Sequence, residues 1–243
     1  MKTSIKTTIK EKFHKVKKFF KENTISALTA VFLGVATLLV AWAGWIGSLH
    51  GGNQASNYTK SNNLAAEGNA EYNVATQVYI SDLFTWNTLV NLQVDKQSAK
   101  DRGDMAEAKT IETKMEKIKQ NNCSPKLLEA INNLDTSKKW TSPFEDEEFT
   151  KGYFEEAQKL LDESQKAMAE GDIDNLRGDS YQLVSVLYSL VLFLLGIIGV
   201  LNDYQSRKAL LVFSVCLLCI AIIYMLTIPM PTGFEITKFF NHG

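Results

Sequence analysis

Three stretches of the chain carry no Asp, Glu, Lys or Arg: residues 25–46, 181–201 and 209–228. Each is almost wholly apolar. A bilayer core roughly 30 Å thick needs about 20 residues of helix at about 1.5 Å rise each, so all three predict membrane-spanning helices. The first could also be read as a cleaved signal peptide, since Ala41-Trp42-Ala43 has the small-x-small form of a cleavage site. Its apolar run is longer than such peptides use, which favours a retained anchor. Pro229 and Pro231 end the third span.

Between the first two spans the pattern is helical. Tyr72, Ala75, Tyr79, Leu83, Trp86, Val90 and Val94 recur at steps of three and four, near the 11-residue repeat of a right-handed supercoil. Gly51-Gly52 predicts a break or hinge past span one. A helix is then expected from about Gln54 to Arg102-Gly103. Asp104 is placed to cap the next helix, with Ala108, Ile111, Met115 and Ile118 on one face. Ser124-Pro125 opens a short helix carrying Leu127, Leu128, Ile131 and Leu134. Ser142-Pro143-Phe144-Glu145 has the form of a capping box. It predicts one helix through Phe149, Tyr153, Ala157, Leu160, Leu161 and Ala167 that stops at Gly171. Strand alternation is absent. The fold expected is an all-α integral membrane protein: three transmembrane helices, with a helical bundle at 48–179 inserted between spans one and two.

Composition alone points elsewhere. The 243 residues are 45% hydrophobic with a formal net charge of -1, figures ordinary for a soluble protein. The charge is unevenly placed. Residues 1–22 hold eight Lys against two Glu, and 48–179 hold fifteen basic against twenty-three acidic residues. Lys/Arg bias sets orientation. With the Lys-rich leader and the Arg207-Lys208 loop inside, the N-terminus is cytoplasmic and 48–179 is extracytoplasmic, in a multi-pass protein of the cell membrane. Ile5, Ile9, Phe13, Val16 and Phe20 form one apolar helical face in the leader. This predicts a basic amphipathic helix lying on anionic lipid, each Lys contributing about 1 kcal/mol.

Small residues supply packing surfaces. Ala27, Ala30, Gly34, Thr37, Ala41 and Gly44 form a continuous seam in span one, of the kind that lets membrane helices approach closely. Ser185, Ser189, Gly196 and Gly199 form a second seam, interrupted by Leu192. These seams are expected to assemble the spans within one chain, in a homo-oligomer, or with another membrane protein. Trp42, Trp45 and Tyr181 mark the outer interface, as such residues do at headgroup level. Gln54 and Tyr58, where span one meets the bundle, are candidate interaction residues.

Catalytic chemistry finds little support. His14, His50 and His242 are scattered, and no HExxH, GxSxG, phosphate loop or paired Cys/His set is present. No cofactor or metal is expected, and the acidic bundle segment argues against nucleic acid. Cys216 and Cys219 form a CxxC within span three, the basis of an alternative as a thiol oxidoreductase. No basic neighbour in sequence would lower a thiol pKa. Cys123 stands alone. Arg-Gly-Asp occurs at 102–104 and 177–179, Glu145 to Glu148 make an acidic run, and Asn57-Tyr58-Thr59 fits a glycosylation acceptor. Helix ends and solvated charge account for the first two. The reading is a non-enzymatic membrane protein whose outer helices bind a partner or sense a signal. A second alternative is an accessory or pore-forming transport subunit.

A set of residues also carries a resemblance. Ala41-Trp42-Ala43-Gly44-Trp45 with Gly52, Gln54-Ala55 and Tyr58 is followed by Ser142-Pro143-Phe144, then by Asp179, Tyr181 and Leu183 running into Leu187, Phe193 and Gly196-Ile197. The set resembles a family of bacterial three-span membrane proteins with one span, a helical segment and two closing spans. The resemblance covers about 36–231, and the leader and about 104–140 depart from it. It implies the architecture and no activity.

Overall fold

A computed structural model describes residues 2–134 and 141–234, with side chains from residue 24 onward. The described residues form six α-helices: α1 (Lys2–Asp101), α2 (Met105–Asn122), α3 (Pro125–Asn132), α4 (Glu147–Lys151), α5 (Glu155–Ile198) and α6 (Tyr204–Thr227), with a 3-10 turn at Pro143–Glu145. Among the described residues there is no strand. Three helices are long and apolar enough to cross a membrane: α1 from Thr24 on, α5 and α6. The leader stripe of Ile5, Ile9, Phe13, Val16 and Phe20 concerns side chains that lie outside the described residues.

The chain forms two compact units. One holds the described residues up to Tyr58 and from Met168 on; the other is Thr59–Ala167. In the first, each helix buries a seam at steps of three and four. On α1 it is Ile25, Thr29, Phe32, Ala36, Leu39, Ala43, Ile46 and His50. On α5 the seam runs Gly171, Asp174, Gly178, Tyr181, Val184, Tyr188, Val191, Leu195 and Ile198. Leu211, Ser214, Leu218 and Ala221 continue it on α6. A seven-residue alternation of this kind is the packing of left-handed helix bundles. Asp203 caps α6 by accepting from Ser206 N and Oγ, both at 2.8 Å. Those bonds to its ionised form hold its carboxyl below the ordinary value. Arg207 Nη2 donates to Ser26 Oγ at 2.9 Å, joining the starts of the α6 and α1 seams.

In the Thr59–Ala167 unit, Trp86, Leu89, Leu92, Met115, Leu127 and Ile131 make the core. α1 contributes Ser61, Gly68, Ala75, Asp82 and Leu89, each seven residues after the last and each buried. This corrects the stripe expected from sequence. Tyr72 and Val94 are exposed, and the repeat is seven residues rather than eleven. The thin positions allow close approach: a Cβ on Gly68 would lie 3.0 Å from Leu161 Cγ, and Ser164 Oγ donates to Ser61 O at 2.9 Å.

Three predicted boundaries also change. α1 runs through Gly51-Gly52 without a break, and neither glycine adopts a positive φ. Two helical glycines cost about 1 kcal/mol each, and helix propagation on both sides offsets that. The Ser142 box opens only the 3-10 turn, its hydroxyl accepting from Phe144 N. Asp146 caps α4 instead, which ends at Lys151. α5 continues through Gly171, where the Tyr58 ring occupies the place of a side chain, 2.6 Å from an added Cβ. Other expectations hold. α1 ends at Asp101 with Gly103 at φ +80. Asp104 accepts from Glu107 N at 2.9 Å, and Ser124 caps α3 with Pro125 at its first turn.

Candidate functional site

The first unit gathers polar groups at one level of its three helices. Gly47 and Gly178 let α1 and α5 approach closely: a Cβ on Gly47 would lie 3.6 Å from Gly178 O and 3.3 Å from Tyr181 Cβ. One turn further along α1, His50 is completely buried. Its Nδ1 is 2.8 Å from Asp174 Oδ1, and its Nε2 is 3.2 Å from the carbonyl oxygen of Pro229. The imidazole stacks on Tyr181 with centroids 5.7 Å apart. Asp174 is 4% exposed, so both partners are withdrawn from solvent. A buried carboxylate is tolerated where it is paired and hydrogen-bonded, and this arrangement supplies both.

Further contacts surround the pair. Asn53 Nδ2 donates to Thr232 O and Oγ1 at 3.3 and 3.2 Å. Tyr181 OH donates to Ile228 O at 3.4 Å. Tyr58 OH donates to Asp172 Oδ1 at 2.6 Å, and Gln54 hydrogen-bonds the same phenol. The bond to Asp172, chiefly, raises the Tyr58 phenol above its ordinary value. Trp42, Trp45 and Phe234 form an aromatic triad, with centroids 5.4, 6.2 and 5.7 Å apart and edge-to-face angles. The segment after α6 is thus tied to α1 and α5 by His50, Asn53, Tyr181 and this triad.

Of the residues expected from sequence, the structure places Tyr181 against His50, Trp42 and Trp45 against Phe234, and Gln54 with Tyr58 beside Asp172; sequence reasoning does not select His50 and Asp174. The signal is present in the chain: both occupy buried positions of the seven-residue alternation, where a charged group needs a partner. The seams lie elsewhere. Ala27, Ala30, Gly34, Thr37, Ala41 and Gly44 are all exposed, as are Ser189, Gly196 and Gly199, and Ser185 is half-buried. Within the protomer the helices pack through other faces.

A second polar centre sits in the Thr59–Ala167 unit. Asp82 is 1% exposed. It accepts from Ser124 N at 2.9 Å, from Ser124 Oγ, and from Tyr153 OH at 2.8 Å. Ser124 in turn caps α3, so one carboxylate fixes both a helix start and the segment carrying Tyr153. Tyr153, Phe149, Phe144 and Tyr79 pack edge to face around it, and Lys126 Nζ lies over the Phe149 and Tyr153 rings. Burial first, and then Asp82, raise the Tyr153 phenol. This is a structural centre with its acceptors in use.

The three cysteines are unpaired. Cys216 and Cys219 are exposed on α6, and Cys123 is half-buried. Burial, and secondarily Asp82, push the Cys123 thiol up to about 11. In a Cys216→Ser/Cys219→Ser chain, iodoacetamide alkylation of Cys123 is expected to keep accelerating up to pH about 11. An ordinary thiol levels off past about pH 8.5. Asp82→Asn should move that profile to lower pH; a profile with the ordinary midpoint would contradict the burial. The folded state holds this proton where the unfolded chain has lost it. Stability from this group is therefore complete below the ordinary thiol value and lost as pH rises through about 11.

Among the described residues, no group of three or more His, Cys, Asp or Glu is placed to hold a metal ion. No family model, curated protein or solved structure matches the chain.

Proposed function

We propose that this is a non-enzymatic multi-pass membrane protein. Its three apolar helices span the cell membrane, its N-terminus is cytoplasmic, and residues 48–179 form an extracytoplasmic helical segment that binds a partner or senses a signal. The observation that carries the reading is apolar exposure on the candidate spans. Leu38 is 72% exposed, Phe193 64% and Leu226 74%. Surface of that kind is stable against lipid and costly against water. The charge asymmetry supports the orientation. The resemblance to bacterial three-span proteins supports the layout. Anionic lipid at the Lys-rich leader, and a second copy or another membrane protein at the small-residue seams, are the partners proposed.

Partner binding by the outer segment is supported by Ile80, Phe84 and Val94, large apolar residues exposed on one face of α1. Alkaline carbonate should leave the chain in the membrane fraction. Single cysteines placed at Asn57 and Gln205 in a chain lacking the native three should label from opposite sides of intact cells. Extraction by carbonate, or labelling from one side, would sink the topology. Phe84→Asp should reduce recovery of a cross-linked partner from membranes several-fold with helicity unchanged; equal recovery would remove this face from the interaction.

A further inference from the structure

We propose that His50, Asp174 and the carbonyl of Pro229 form a proton-dependent clasp that seats the segment following α6. The argument is one of donors and acceptors. His50 Nδ1 faces a carboxylate oxygen at 2.8 Å and Nε2 faces a peptide carbonyl at 3.2 Å. An ionised carboxylate and a carbonyl only accept, and a neutral imidazole has one N–H to give. Both contacts are made only when the pair holds one proton more than a neutral ring and an ionised carboxylate. Without it, one buried contact becomes acceptor against acceptor at a ring wholly withdrawn from solvent.

The contact at stake is the one to Pro229. The partner of Nδ1 is on α5, within a helix whose backbone bonds hold it in place. Pro229 lies past the last residue of α6, Thr227, and among the residues given secondary structure it belongs to no helix. Loss of the proton therefore releases the segment rather than the helix. Among the described residues, it is also held by the half-exposed Asn53–Thr232 bonds, a 3.4 Å bond from Tyr181 to Ile228 O, the burial of Ile228 and Pro231, and the edge of Phe234 against Trp42 and Trp45. Among the described residues, the groups facing the ring are Asp174 and Tyr181 from α5 and Pro229 from the segment itself. On α1 the next titratable neighbour is Tyr58, already engaged with Asp172. A bistable segment biased by one buried histidine is how proteins read pH changes near neutrality.

Met230 reports on the seating without an added probe, because its Sδ lies 3.6 Å from Tyr181 OH. The experiment is methyl-labelled methionine NMR of the full chain in detergent micelles, with Met230 assigned through Met230→Leu and histidine ring signals followed in the same samples. Between about pH 5 and about pH 8 the Met230 methyl is expected to move from a single seated position to an averaged one. It should change together with the His50 ring signals. His50→Gln should remove the pH response while far-ultraviolet circular dichroism shows the helices intact. Asp174→Asn, which keeps the shape without the charge, should weaken or remove the response. A Met230 signal that does not change across that range, or that responds in Asp174→Asn as it does in the wild-type chain, overturns the clasp. The readout is made in micelles and is independent of span orientation. Failure of the topology test would leave it standing.

Discussion

Asp82→Ala is expected to destabilise the Thr59–Ala167 unit by roughly 3 kcal/mol, because three part-buried donors lose their common acceptor at once. The donors are Ser124 N, Ser124 Oγ and Tyr153 OH. Ser124 also caps α3, so the loss reaches the helix carrying Leu127 and Ile131, two members of the core. Asp82→Asn keeps one oxygen and the volume and should cost less. Urea unfolding of the full chain, followed by circular dichroism, reads the difference. If the alanine variant unfolds at the wild-type urea concentration, the carboxylate is not what holds α3 and Tyr153 to α1.

Two substitutions to leucine on span one should behave in opposite ways. Ala43 is fully buried in the seam that α1 presents to its neighbours. Ala43→Leu overfills a closed contact and is expected to cost about 1–3 kcal/mol of protomer stability. An added Cβ on Gly34 meets nothing within 4 Å, so Gly34→Leu should leave the protomer as stable as before or slightly more so. If the exposed seam assembles copies, as proposed, the Gly34 variant alone should run as a smaller species in detergent size-exclusion chromatography with light scattering. An unchanged mass for both chains would count against assembly through this seam, and instability of the Gly34 variant would contradict the packing described.

Long apolar runs are the most legible part of this chain, since about twenty uncharged residues in a row suit a bilayer far better than a small soluble core. The three candidate spans, the Asp104 and Ser124 caps and the end of α1 at Gly103 all follow from local chemistry. What is not legible depends on partners distant in sequence. Periodicity draws the α1 stripe through Tyr72 and Val94 because they are large and apolar, whereas the buried row is Ser61, Gly68, Ala75 and Asp82. Small and polar residues leave no hydrophobic signal when a close neighbour or a matched donor is what buries them. Gly171 reads as a helix stop, but its lack of a side chain serves the Tyr58 ring. The seam of Ala27 to Gly44 is the clearest pattern in span one, yet the protomer packs by the neighbouring face. His50 and Asp174 lie 124 positions apart, and only the fold pairs them.

That separation has a consequence in time. Asp82 finds Ser124 42 residues later and Tyr153 71 residues later, so its centre can close while the chain is still growing. His50 reaches Pro229 only after 179 further residues. At a synthesis rate of about 5–20 residues per second, the wait is about 9–36 seconds. For that interval a histidine destined for complete burial has no carbonyl to meet, and the packing of α1 is completed only by residues made after α6.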